Sequence, residues 1–171
     1  MELYIIRHAD ALPVGAHGIT EDEARPLSKE GEAQARQLAA ALNRRGIRLE
    51  KVVSSPLLRA RQTAEGLVQA LPDPRPELIA RDELAPGGKR RKLVKLLRDL
   101  GGTAVAVVGH QPDLGDLAAW LIGSKKARID FAKAGVAQIT FADSPDKGAG
   151  TLVGLMAPEW FGDSSSPAAA S

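Results

Sequence analysis

The chain has 171 residues, 44% hydrophobic and 26% charged, which predicts one globular domain able to bury its own core. The absence of cysteine excludes disulfides, thiolate metal sites and a cysteine nucleophile. A net charge of +2, from 23 basic and 21 acidic residues with only 4% aromatic residues, argues against a nucleic-acid partner.

No apolar stretch is long enough to span a membrane, and Met1-Glu2-Leu3 does not open a charged segment followed by an apolar one, so a cytoplasmic location with no membrane partner is expected. Leu3-Tyr4-Ile5-Ile6 is apolar on both faces and reads as a buried central strand. Arg7-His8-Ala9 closes it, at the kind of strand end where ligands bind in open α/β sheets. Ser28 is placed to cap a helix carrying Ala35, Leu38, Ala39 and Leu42 on one face and ending at Gly46. The full capping box is missing because Gly31 occupies its N3 position.

Lys51-Val52-Val53-Ser54-Ser55 reads as a second strand. Pro56 then opens a helix with Ala64, Leu67, Val68 and Leu71 on one face and Arg59 in its first turn, and Pro72 stops it. Residues 73–81, with Pro74 and Pro76, read as a surface connection into Asp82-Glu83-Leu84-Ala85-Pro86-Gly87-Gly88. A third helix turns Leu93, Leu96, Leu97 and Leu100 inward and Arg90, Arg91, Lys92, Lys95 and Arg98 outward, a solvated face or a seat for an acidic protein. Ala104-Val105-Ala106-Val107-Val108-Gly109-His110 repeats the pattern of a buried strand ending in histidine. Pro112 starts a helix with Leu114, Leu117, Ala118 and Leu121 inward, and residues 136–141 and 151–156 read as closing strands. The small, polar residues 162–171 are expected to be a disordered tail. Strands alternating with helices predict an α/β three-layer sandwich, a mostly parallel sheet with helices on both faces, in a single domain over residues 1–161.

Arg7, His8, Arg59 and His110 all lie just past a strand or in the first turn of the next helix, points that converge at one edge of a parallel sheet. Phosphoryl transfer requires positioning and charge neutralisation more than covalent machinery. Arg7 and Arg59 suit the oxyanion because guanidinium is always charged and forks onto it. His8 suits the nucleophile, and His110 adds a donor and, if protonated, a charge. Singly, Arg59 also reads as a surface arginine and His110 as a satisfied core histidine. Arg25 fits the rim of such a site or a salt bridge with Glu21, Asp22 or Glu23. Two readings from other classes stand beside this one. The His8-x-Asp10 spacing, completed by His17 and His110, would hold a metal, against which the fixed charge of Arg7 counts. A non-catalytic phosphoprotein-binding module would use Arg7 and Arg59 but have no need of two imidazoles.

Arg7-His8-Ala9, Ser54-Ser55-Pro56-Leu57-Leu58-Arg59-Ala60-Arg61-Gln62-Thr63-Ala64 and Gly109-His110-Gln111-Pro112 resemble the three motifs of the histidine phosphatase superfamily, over residues 1–160. Within it, Arg7-His8-Ala9-Asp10, Arg25-Pro26-Leu27-Ser28-Lys29-Glu30-Gly31 and the small size are similar to the SixA-type phosphohistidine phosphatases. Ala9 stands where the motif ends in glycine, a mild departure between two small residues. The resemblance implies a phosphoglycerate-mutase-like fold, a phosphate pocket of Arg7, Arg59 and His110, and hydrolysis through phosphorylated His8 that releases inorganic phosphate. It implies no cofactor and no metal. It also implies a general acid between the second and third motifs, where Glu83, or less favourably Asp82, is available. The implied substrate is phosphohistidine on a histidine-phosphotransfer signalling protein, with a small phosphomonoester as the alternative.

Overall fold

A computed structural model describes residues 1–161, so the expectation for residues 162–171 falls outside the described residues. Six strands form one sheet: β1 (Glu2–Arg7), β2 (Lys51–Ser54), β3 (Glu77–Ala80), β4 (Ala104–Gly109), β5 (Val136–Phe141) and β6 (Gly150–Met156), in the order β3-β2-β4-β1-β5-β6. The first four run parallel, and β5 and β6 pair antiparallel at one side. Strand β4 is buried along its whole length because it is a central strand covered on both faces.

Four helices complete two further layers: α1 (Lys29–Arg44), α2 (Leu58–Ala70), α3 (Arg90–Leu100) and α4 (Asp113–Leu121). The two-residue alternation of a strand divides the core accordingly. Leu3, Ile5, Val105 and Val107 pack with Leu93, Leu97, Leu114 and Leu117 of α3 and α4. Tyr4, Ile6, Ala106 and Val108 pack with Leu38, Leu42, Ala64 and Leu67 of α1 and α2. This is the three-layer α/β sandwich that the alternating pattern predicts. No helix among the described residues is long and apolar enough to cross a membrane.

Ser28 caps α1 as expected, its Oγ accepting from the Gly31 amide at 3.0 Å. The glycine that breaks the capping box has its own cause. A Cβ at Gly31 would stand 2.0 Å from the carbonyl oxygen of Asp10, so the first turn of α1 lies directly on the loop leaving β1. That packing fixes the position of the loop that carries His8.

Three boundaries differ from expectation. Residues 77–80 form the edge strand β3, hydrogen-bonded to β2, instead of a surface connection. Only Ile79 of its four residues is buried, so β3 shows no apolar alternation, and the free edge of β2 supplies its pairing. Helix α2 begins at Leu58 rather than Pro56, because Ser55 still extends the ladder through its amide to the Val108 carbonyl at 2.9 Å. Pro112 is the residue before α4, joined to Gln111 by a cis peptide bond, and is not the first helical residue. In α3, Leu96 and Leu100 are only partly covered and Val94 is buried in addition to Leu93 and Leu97.

Candidate active site

The sheet register delivers the two histidines side by side. Arg7 pairs with Gly109 at the ends of β1 and β4, and the His8 amide donates to the Gly109 carbonyl at 3.0 Å, so His8 and His110 leave adjacent strands together. Their ring centroids are 5.1 Å apart at an interplanar angle of 54°. Arg59 arrives from the first turn of α2, and Thr63, one turn later, links it to the same loop. The Thr63 hydroxyl donates to the Arg59 carbonyl at 2.7 Å and accepts the Ala9 amide at 3.0 Å. His8, Arg59 and His110 are all buried.

The hydrogen bonds of His8 select one tautomer. Its Nδ1 lies 2.7 Å from the Ala9 carbonyl oxygen, which only accepts, so Nδ1 carries the proton. Its Nε2 faces the Arg59 Nε–H at 3.3 Å, which only donates, so Nε2 holds a lone pair. Burial first, then the charges of Arg59, Arg7 and Arg25, lower its pKa to about 4 against the opposing pull of the Ala9 carbonyl. The ring is therefore a neutral base at neutral pH, with its free nitrogen turned toward a guanidinium.

His110 is neutral as well. Burial, then His8 and Arg59, push its pKa down to about 3. The positive charge that protonation would give it is absent in this arrangement. Its Nε2 sits 2.8 Å from Ser55 Oγ, which also accepts the Leu57 amide at 3.3 Å. Arg7 is held by a hydrogen bond from Nη1 to the Phe131 carbonyl. Among the described residues, Arg7 Nε and His110 Nδ1 are the buried side-chain polar atoms without a partner. Buried polar atoms are nearly always paired, so two unpaired ones in one cluster mark a place built for an external acceptor.

Arg59 does more than face His8. Its Nη1 donates to the Asp22 carbonyl at 2.7 Å and its Nη2 to Asp22 Oδ2 at 3.0 Å. Asp22 Oδ1 in turn accepts from Arg25 at 2.9 Å. Arg25 thus makes the salt bridge expected of it and, through that bridge, stands at the site. Glu83 lies half-buried in a short 3₁₀ turn (Asp82–Leu84) whose Leu84 packs against the end of β4 near Gly109. Its carboxylate makes no hydrogen bond or ion pair among the described residues. The metal alternative does not assemble. Asp10 is bonded to Ser28 Oγ and the Lys133 ammonium, His17 is exposed in its own turn, and no cluster of three acidic or histidine donors occurs among the described residues.

Sequence reasoning missed Asp22, the hydroxyl of Ser55 and the carbonyl of Phe131. Ser55 sits inside a recognised motif, so its neighbourhood was legible even though its role was not. Asp22 is one of several acids in an exposed loop, and Phe131 contributes a backbone atom, so neither carries a sequence signal.

The model of the histidine phosphatase superfamily (branch 1) matches residues 3–85. The phosphohistidine phosphatase SixA of Escherichia coli K12 is 32% identical over 161 residues, 92% of this chain and 94% of that protein. The chain belongs to the histidine phosphatase superfamily. As a member of it, the chain is a phosphatase, and its likeness to SixA runs over nearly its whole length. The tungstate complex of the protein histidine phosphatase SixA superposes with a TM-score of 0.82 at 30% identity, covering 95% of this chain and 100% of that one. An uncharacterized protein of Picosynechococcus sp. strain PCC 7002 is 38% identical over 140 residues, 80% of this chain and 82% of its own.

Proposed function

We propose that this phosphatase removes phosphate from phosphohistidine on a signalling protein of the histidine-phosphotransfer kind, carrying the phosphoryl group transiently on His8. The observation that supports it most is the His8 tautomer: a buried neutral ring with Nδ1–H held by a carbonyl and Nε2 lone pair turned to Arg59. Nε2 attacks phosphorus, the bond to the leaving nitrogen breaks, and the positive charge that develops on the His8 ring is met by the Ala9 carbonyl. Arg7, Arg59 and the Nδ1–H of His110 take the phosphoryl oxygens, and in that tautomer His110 Nε2 accepts from the Ser55 hydroxyl. Water then attacks phosphorus, the Nε2 lone pair is restored, and inorganic phosphate leaves.

A phosphohistidine protonated on its distal ring nitrogen departs as neutral imidazole and needs no acid from the enzyme. An alkoxide leaving group does need one, and Glu83, giving up the proton of its carboxylic acid form and ending as carboxylate, is the group we assign to it. The protein-borne substrate fits a site framed by the connections 8–28 and 122–135, neither of which holds an inserted α-helix among the described residues. The SixA relative is named for phosphohistidine.

The test is to trap the phosphoenzyme with a phosphorylated histidine-phosphotransfer domain as donor. Wild type should carry acid-labile phosphate and His8→Ala none, with turnover reduced by at least about a thousandfold. Undiminished labelling of His8→Ala would overturn the mechanism. A clear preference for sugar phosphates over the phosphoprotein would overturn the substrate.

A further inference from the structure

We infer that Asp22 is a built-in anion seated on the Arg59 fork, which competes with the phosphoryl group for that guanidinium and so sets the affinity of the enzyme for its substrate. The inference rests on Arg59 being a phosphate ligand, as proposed above. Each nitrogen of Arg59 already has a partner: Nε faces His8, Nη1 donates to the Asp22 carbonyl and Nη2 to the Asp22 carboxylate. A carboxylate on a guanidinium occupies the same donors that a phosphoryl group would use. The two partners are unequally fixed. The Arg59 side chain is 7% exposed and that of Asp22 is 57% exposed, so the acid is the one free to move.

Release of the carboxylate needs no rearrangement of the loop. The Asp22 carbonyl, anchored by Arg59 Nη1 and by the Arg25 amide at 3.4 Å, holds the backbone while the side chain swings away. Arg25 gives that side chain a second partner at 2.9 Å, which retains the carboxylate near the mouth. The hydrogen bond from Arg25, with the charges of both arginines, keeps the acid below the usual carboxylate range, so it remains charged throughout the neutral range. An incoming phosphoryl group brings more negative charge and three oxygens against one carboxylate that is itself more than half exposed to water.

The opposing role, in which Asp22 steadies Arg59 for binding, predicts the opposite sign. Calorimetric titration of wild type, Asp22→Asn and Asp22→Ala with tungstate and with inorganic phosphate, at one low ionic strength, separates the two. Both variants should bind about two- to fivefold more tightly than wild type, the range set by loss of one competing ion pair whose acid is solvent-exposed. Arg59→Ala serves as the control and should weaken binding. Unchanged or weaker binding by the Asp22 variants, with Arg59→Ala still impaired, would overturn this inference alone. Oxyanion affinity indifferent to Arg59 would overturn the phosphate-pocket reading and this inference with it.

Discussion

The chemistry of His8 follows from two neighbours of fixed hydrogen-bonding character, a carbonyl on one side and a guanidinium N–H on the other. Neither can reverse its role, so the tautomer is determined by what surrounds the ring. His110 lacks such a constraint on one side, and its orientation rests on the Ser55 hydroxyl. Ser55→Ala should therefore lower kcat by roughly 3- to 30-fold while KM changes less, because the ring loses its tether but the arginines still bind. Steady-state kinetics on the phosphoprotein substrate checks this. A change confined to KM would show that Ser55 acts in binding instead.

At the scale of elements, the site depends on how closely α1 and α2 press on the loop after β1. Thr63 bonds both Arg59 and Ala9, and Gly31 lets the start of α1 reach the Asp10 carbonyl. Gly31→Ala should destabilise the fold by about 1–3 kcal/mol despite the better helix propensity of alanine, because the added methyl meets backbone that cannot rotate away. Urea unfolding measures the loss. A variant as stable as wild type would show that the loop yields, and turnover should then fall with the displaced His8. Strand β3 has the reverse origin: Ile79 is its one strong strand former, and pairing with β2 decides the conformation of Glu77, Leu78 and Ala80.

For the whole molecule, enclosing two imidazoles among arginines ties stability to pH. The pKa of His8 falls to about 4 and that of His110 to about 3, so each takes up protons more readily unfolded than folded. Stability contributed by the neutral rings is complete above about pH 6.5 and is lost as pH falls from there through about 4 for His8 and about 3 for His110. A tenfold difference in proton affinity between the folded and unfolded chain is worth about 1.4 kcal/mol, so the loss should reach several kcal/mol. Denaturant unfolding at a series of pH values should show it, and His8→Asn should flatten the slope over that window. Identical slopes in the two proteins would mean that His8 titrates normally.

Sequence alone determined the layers, the parallel core and the convergence of Arg7, His8, Arg59 and His110, because each depends on a local pattern: apolar runs buried on both faces, a cap, and polar residues at strand ends. Gly31 was visible as a break in a capping box, but its reason is a backbone atom that follows a different element. Tertiary structure alone decided that residues 77–80 are a strand, that Ser55 holds His110, and that Asp22 rests on Arg59. Each of these is a pairing between segments remote in the chain, and an edge strand, a single hydroxyl or one acid among several leaves no periodic trace from which such a pairing can be read.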